Sequence, residues 1–158
     1  MRYILNSLTS LLASVERIWS SGLEFSLSSA ASLAIRLYVG WVFFKAGLTK
    51  IADWESTLEL FEYEYAVPLL PTNIAAFLGT AGELLLPPLL ALGLFSRFSA
   101  AGLFVVNAVA TISIYEDIEG TYGLGLHYMW GLMLAYVMIH GGKLISVDHI
   151  LKGKLRIR

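Results

Sequence analysis

Four separate stretches of this chain are apolar for long enough to cross a lipid bilayer, and no other feature constrains the fold as much. A spanning helix needs about 20 mainly apolar residues, because the hydrocarbon core is about 30 Å thick and a helix rises about 1.5 Å per residue. The stretches run approximately over 31–51, 74–95, 98–115 and 126–142. Of the 158 residues 57% are hydrophobic and only 15% charged, too few charges to cover the surface of a soluble domain of this length. The expected fold class is therefore all-α: an integral membrane four-transmembrane-helix bundle, formed as one domain. The second and third spans are separated only by Ser96 and Arg97, which predicts an antiparallel helical hairpin.

Charge sets the expected orientation. The segment between the first two spans carries Asp53, Glu55, Glu59, Glu62 and Glu64 and no base, and the connection after the third carries Glu116, Asp117 and Glu119, again with no base. Arg2, Arg17, Arg97, Lys143, Lys152, Lys154, Arg156 and Arg158 all fall at the opposite ends of the spans. Basic residues stay on the cytoplasmic side. The expected location is a bacterial cytoplasmic (inner) membrane, multi-pass, with both the N- and C-terminal segments in the cytoplasm.

Residues 1–28 read as a cytoplasmic amphipathic interfacial segment. Ile4, Leu8, Leu11, Val15 and Trp19 recur at helical spacing, while Asn6, Ser7, Thr9, Ser10 and Arg17 interrupt the run. The rival, a cleaved signal peptide, wants an unbroken apolar core that this segment lacks. Residues 29–142 form the transmembrane domain and 143–158 a basic cytoplasmic tail. In the first outer loop Trp54, Phe61, Tyr63 and Tyr65 alternate with acids, as suits a segment resting among lipid headgroups. Pro68 and Pro71 stop any helix there, and Thr72 or Asn73 can cap the second span.

Several chemistries are excluded. Cysteine is absent, which removes disulfides, thiolate nucleophiles, thioether-attached haem and Cys-ligated iron–sulfur clusters. There is no dinucleotide fingerprint for a flavin or nicotinamide, no phosphate-cradling loop and no Ser-His-Asp order. His127, His140 and His149 are spread over the outer side, the inner end of the fourth span and the tail, so they make no metal site. No basic face interleaved with aromatics suggests nucleic acid. The sequence shows no self-contained catalytic site.

Glu83 is the residue that carries chemistry. It lies near the middle of the second span, between Gly79 and Gly82 on one side and Leu84, Leu85 and Leu86 on the other. A charge at that depth costs several kcal/mol unless it is paired or faces a cavity. Pro87 and Pro88 withdraw the donors that would serve the carbonyls of Glu83 and Leu84, favouring a kink beside the acid. Two bases of the first span offer themselves as partners. Arg36 and Lys45 are nine residues apart and so on opposite faces. Arg36 shares a stripe with Gly40, Phe43, Gly47 and Lys50, whose glycines allow close helix approach. That stripe makes Arg36 the preferred inward partner, while Lys45 snorkels to the headgroups or is the alternative partner. Asn107, level with Glu83 on the third span, is a candidate ligand contact, with an ordinary interhelical hydrogen bond as the plainer role. Gly40, Gly47, Gly79 and Gly82 are the expected helix-packing positions.

The runs RLYVGWVFFKAGLTK, GELLLPPLLALGLFSRFSAAG and GGKLISVDHIL resemble the DoxX family of four-helix bacterial membrane proteins. The matching positions are Arg36, Gly40, Gly47, Lys50, Glu83, Gly93 and Arg97, then Gly141, Gly142, Lys143, Ser146 and Asp148 in the closing motif, where many members carry a proline absent here. The resemblance covers roughly residues 30–152; Lys45 and the first thirty residues stand outside it. It implies an accessory membrane subunit of a quinone-linked redox system, as in thiosulfate:quinone oxidoreductase, or a partner in oxidative-stress complexes. The stretch FEYEYAVPLLP resembles a subgroup encoded near enzymes that mature metal-binding peptides, which implies a metal-homeostasis setting.

Three functions follow as expectations. The first is a redox accessory subunit that holds a quinone or other lipid-like ligand at Glu83 and receives electrons from a partner protein. The second is a scaffold anchoring a partner, with no ligand of its own. The third is a small transporter, disfavoured by four spans with no inverted repeat. Glycine and alanine on several spans also permit a homo-oligomer.

Overall fold

The structure is a computed structural model that describes residues 10, 11, 13, 14, 22, 24–65, 67 and 69–155. Among the described residues from Glu24 onward, the α-helices follow in order as α1 (Glu24–Ala52), α2 (Trp54–Leu60), α3 (Thr72–Leu92), α4 (Ser96–Ser113), α5 (Tyr115–Ile118), α6 (Tyr122–His140) and α7 (Val147–Leu155), with a π-helical turn at Phe61–Tyr65 after α2. Among the described residues there is no strand, and α1, α3, α4 and α6 are long and apolar enough to cross a membrane. They form a ring in which α1 packs on α3 and α6, and α4 packs on the same two.

The core between them is a small apolar set, Val39, Phe43, Leu90, Ala100, Leu103, Leu134 and Val137. Large side chains such as Trp41, Phe77, Leu85, Ile112 and Leu132 point outward at 63–74% exposure. In water that surface would drive aggregation, whereas hydrocarbon solvates it without cost.

The buried face of α1 is Ser29, Ser32, Arg36, Val39, Gly40, Phe43 and Gly47, a stripe at three- and four-residue spacing. Its glycines seat α3: a Cβ on Gly40 would lie 3.4 Å from the Pro87 carbonyl oxygen, and one on Gly47 would lie 2.9 Å from Leu84 and 3.0 Å from Glu83 Cβ. On α3, Gly79 faces Phe61 and Gly82 faces Val106 of α4. Helix α3 runs unbroken through Pro87 and Pro88.

Helix ends differ from the hydropathy reading. α1 spans 29 residues and begins at Glu24, so residues 24–28 of the expected interfacial segment belong to the first long helix. The rest of that segment lies almost wholly outside the described residues. α3 stops at Leu92 because Gly93 turns left-handed (φ 70°), with Leu94 N donating to Leu89 O and Gly93 N to Leu90 O, a Schellman cap. The hairpin turn is therefore 93–95, and Ser96 and Arg97 open α4 instead of forming the turn. α6 starts four residues before the expected 126 and ends at Gly141 (φ 71°).

The closing segment is also not a free tail. α7 folds back onto the α3–α4 turn: Asp148 N donates to Gly93 O, and the Asp148 carboxylate accepts from Phe95 N, Ser96 N and Ser96 Oγ at 2.7–2.8 Å. Residues 156–158 lie outside the described set.

Candidate functional site

Glu83 stands on the inner face of α3, 6% exposed, eleven residues after Thr72 and so about 16 Å from the start of the helix. Its partner is Lys50. The Lys50 ammonium donates to both carboxylate oxygens, at 2.8 and 2.6 Å, the one salt bridge among the described residues. The expected pairing with Arg36 is corrected by this geometry, and Lys45 is exposed on the far face of α1. Lys50 follows Gly47 by three residues on the same stripe, and the close approach of α3 at Gly47 brings the carboxylate within reach of its four-carbon stem.

Arg36 is fully buried at the other end of the bundle. Its guanidinium donates to the carbonyls of Ser32, Leu90, Ala91 and Ile145, so it ties α1 to the end of α3 and to the segment before α7. A second bond crosses the same end, from Ser32 Oγ to Gly141 O at 3.0 Å. Leu90 and Ala91 lie in the last turn of α3 and Gly141 caps α6, so their carbonyls sit at the negative ends of helices, where a cation is favourable. Arg36 therefore serves as a clasp, not as the partner of Glu83.

Asn107 is also kept from Glu83. Its Nδ2 donates to His127 O and its Oδ1 faces His127 Nδ1, both at 3.0 Å, joining α4 to α6. Because the amide oxygen only accepts, His127 carries its proton on Nδ1. His127, expected outside the membrane, sits in the second turn of α6 and is half-buried.

Beside the Lys50–Glu83 pair lies a cavity of about 230 Å³. Its floor is Gly79 and Glu83 of α3, one wall is Val106, Val109 and Ser113 of α4, and Phe61 and Tyr65 of the π turn close it. Phe61 is 6% exposed against Ala75 and Ala76, so the segment expected to rest among headgroups instead covers the bundle, leaving Trp54 and Tyr63 exposed. Two further polar groups reach the cavity. The Ser113 hydroxyl is buried with no hydrogen-bond partner. Burial, then the charges of Glu83 and Glu64, hold the Tyr65 phenol above its ordinary range, so it is a protonated donor. On the lipid side Leu78 and Val105 are 53% and 59% exposed. No group of metal-ligating side chains forms among the described residues.

Lys50 was legible on the stripe but hidden by depth, since counting along the span puts it among headgroups. Tyr65 and Ser113 carry no sequence signal that separates them from belt and helix-end residues.

Comparison with known proteins bears on these positions. The sequence profile of the DoxX family matches residues 31–116, which include Arg36, Lys50, Glu83, Gly93, Arg97 and Asn107. A Haemophilus influenzae protein described as an uncharacterized protein is 29% identical over 132 residues, covering 79% of this chain and 85% of that protein. No solved structure matches.

Proposed function

The chain belongs to the DoxX family, and from that premise we propose that it is an accessory membrane subunit of a redox system that holds the headgroup of a quinone-like lipid beside Glu83. The observation that carries this reading is the buried Lys50–Glu83 pair in the wall of an apolar cavity that opens between α3 and α4 toward lipid. At about 230 Å³ the cavity is smaller than the 300–1,000 Å³ typical of sites that enclose a whole ligand. It suits a single ring, with an attached chain leaving past Leu78 and Val105.

The polar groups fit a ring with acceptors at two ends. Lys50, Tyr65 and the unpartnered Ser113 hydroxyl all line the cavity and supply the donors. Reduction of a quinone to a quinol takes two electrons and two protons. The electrons come from a partner protein's redox centre, and Glu83 is the group placed to relay a proton. The acidic outer connections and basic inner ones support insertion in the bacterial inner membrane with both terminal segments cytoplasmic. A metal-homeostasis setting is a finer version of the same reading and rests only on the FEYEYAVPLLP stretch.

The test is extraction in mild detergent followed by lipid analysis. Wild-type protein should carry quinone in near-stoichiometric amount, and Glu83→Gln or Ser113→Ala should lose most of it while remaining folded. Folded wild-type protein without quinone, together with partner-dependent quinone reduction that Glu83→Gln leaves unchanged, sinks the proposal. One observation favours a second reading, a scaffold without ligand: the Lys50–Glu83 pair satisfies itself in a bidentate geometry. In that case Glu83→Gln alters assembly with the partner and no redox readout of the assembled protein.

A further inference from the structure

The opposite end of the bundle holds a second cavity, of about 390 Å³, under α7. Three bases line it: Arg97 from α4, Lys143 from the α6–α7 connection and Lys152 from α7, joined by His140 and His149. Its one acid, Asp148, already accepts three hydrogen bonds from Phe95 and Ser96, so its carboxylate is committed to the clasp. Arg97 spends one of its five N–H donors on Ile139 O at 3.1 Å. This bond holds the guanidinium in place, with Nε 3.5 Å and Cγ 3.9 Å from where a Gly141 Cβ would lie.

Lys143 gives an independent sign. Its φ is +56°, a left-handed conformation that a lysine rarely adopts and that accumulates where a side chain must be aimed. The ammonium lies 5.9 Å from the centre of the Phe25 ring on α1. Phe95 and Phe98 flank the cavity at 64% and 69% exposure, and both are apolar surface that a phosphate dissolved in water would not need. A phosphate that carries acyl chains would use both features.

We propose that this cavity binds the phosphate of an anionic phospholipid, with Arg97, Lys143 and Lys152 around the headgroup and Phe95 and Phe98 against the first methylenes. Basic pockets between membrane helices on the side of the anionic leaflet recognise such headgroups. The site is separate from the Glu83 cavity and stands whether or not that one takes a quinone.

The experiment is native mass spectrometry of the full chain in neutral detergent, offered phosphatidylglycerol or phosphatidylcholine of the same acyl composition. Wild type should retain phosphatidylglycerol about 100-fold better, at about fivefold for each of the three bases. Lys152→Gln on exposed α7 should cut that retention about fivefold, and Lys143→Asn/Lys152→Gln about 25-fold, at about fivefold per charge. Asparagine is chosen at 143 because it tolerates positive φ. Phosphatidylcholine retention and helicity should stay unchanged. Equal retention of the two lipids, or wild-type retention by the double variant, overturns the proposal. So does displacement of phosphatidylglycerol by millimolar inorganic phosphate, which would make the site one for free phosphate.

Discussion

Lys50→Met removes one charge from the bundle and almost no volume, so its cost isolates the ion pair. In the folded protein the Lys50 and Glu83 side chains are 11% and 8% exposed, so water and salt screen them little. Removing one partner of such a pair leaves the other charge buried alone and costs about 3–5 kcal/mol. The two deletions are not equivalent. Glu83 lies eleven residues inside α3, with its Cβ 3.0 Å from where a Gly47 Cβ would lie, and its short side chain cannot reach the headgroups. Lys50 lies two residues before the end of α1 and can swing outward on its stem. Lys50→Met should therefore cost about 3–5 kcal/mol, and Glu83→Leu only about 1–2 kcal/mol, the price of a moved side chain and a repacked contact. The double variant should return to within about 1 kcal/mol of wild type, because apolar replacement of a whole buried pair is close to neutral. The assay is reversible unfolding by sodium dodecyl sulfate in mixed micelles, followed by circular dichroism. If the double variant loses the sum of the two single losses, the residues are not coupled in the folded protein and the site as described here is wrong.

Two other perturbations act on the clasp. Gly93→Ala drives a Cβ into Arg36 Nη1 and to 2.5 Å from Ser146 Cβ, at a residue with φ 70°. Left-handed strain of about 1–2 kcal/mol and overpacking of about 1–3 kcal/mol should together lower the thermal midpoint in detergent by several degrees, and an unchanged midpoint contradicts the packing. For Asp148, burial alone would raise the carboxyl, but the hydrogen bonds from Ser96 and Phe95, with the charge of Lys152, outweigh it and hold it below its ordinary range. A carboxyl depressed in the folded state contributes stability above its unfolded value of about 3.9 and loses it as pH falls through the folded value. Protection of the Phe95 and Ser96 amides in hydrogen exchange, corrected for intrinsic rates, should therefore fall below about pH 4 in wild type. In Asp148→Asn it should be lower at neutral pH and nearly flat with pH. Equal protection in wild type above and below that range would remove Asp148 from the clasp.

The membrane bundle was readable because span length and hydropathy respond to the same quantity, the thickness of hydrocarbon to be crossed. Helix ends were not, because hydropathy is blind to caps: Leu92 and His140 end their helices on the left-handed Gly93 and positive-φ Gly141, not where apolarity fades. The stripe of Arg36, Gly40, Phe43, Gly47 and Lys50 predicted the inward face of α1 residue by residue. Which base met Glu83 depended on axial offset between two helices, and spacing within one helix does not contain that number. Arg36 was found as a buried cation, but its acceptors are main-chain carbonyls supplied by other elements, and carbonyls have no residue type to read. Treating 143–158 as a tail hid the same contact from the other side.

The clasp also orders events in time. Arg36 enters the bilayer with the first long helix, yet the oxygens that satisfy it belong to Leu90, Ala91 and Ile145, the last of them more than a hundred residues downstream. During synthesis the guanidinium is served only by Ser32 O of its own turn until residues 90 and 91, and then 145, have followed the first helix. Arrival of the Ile145 carbonyl is thus the event that closes the clasp on the first span. A nascent chain halted before Ile145 leaves Arg36 short of one of its acceptors.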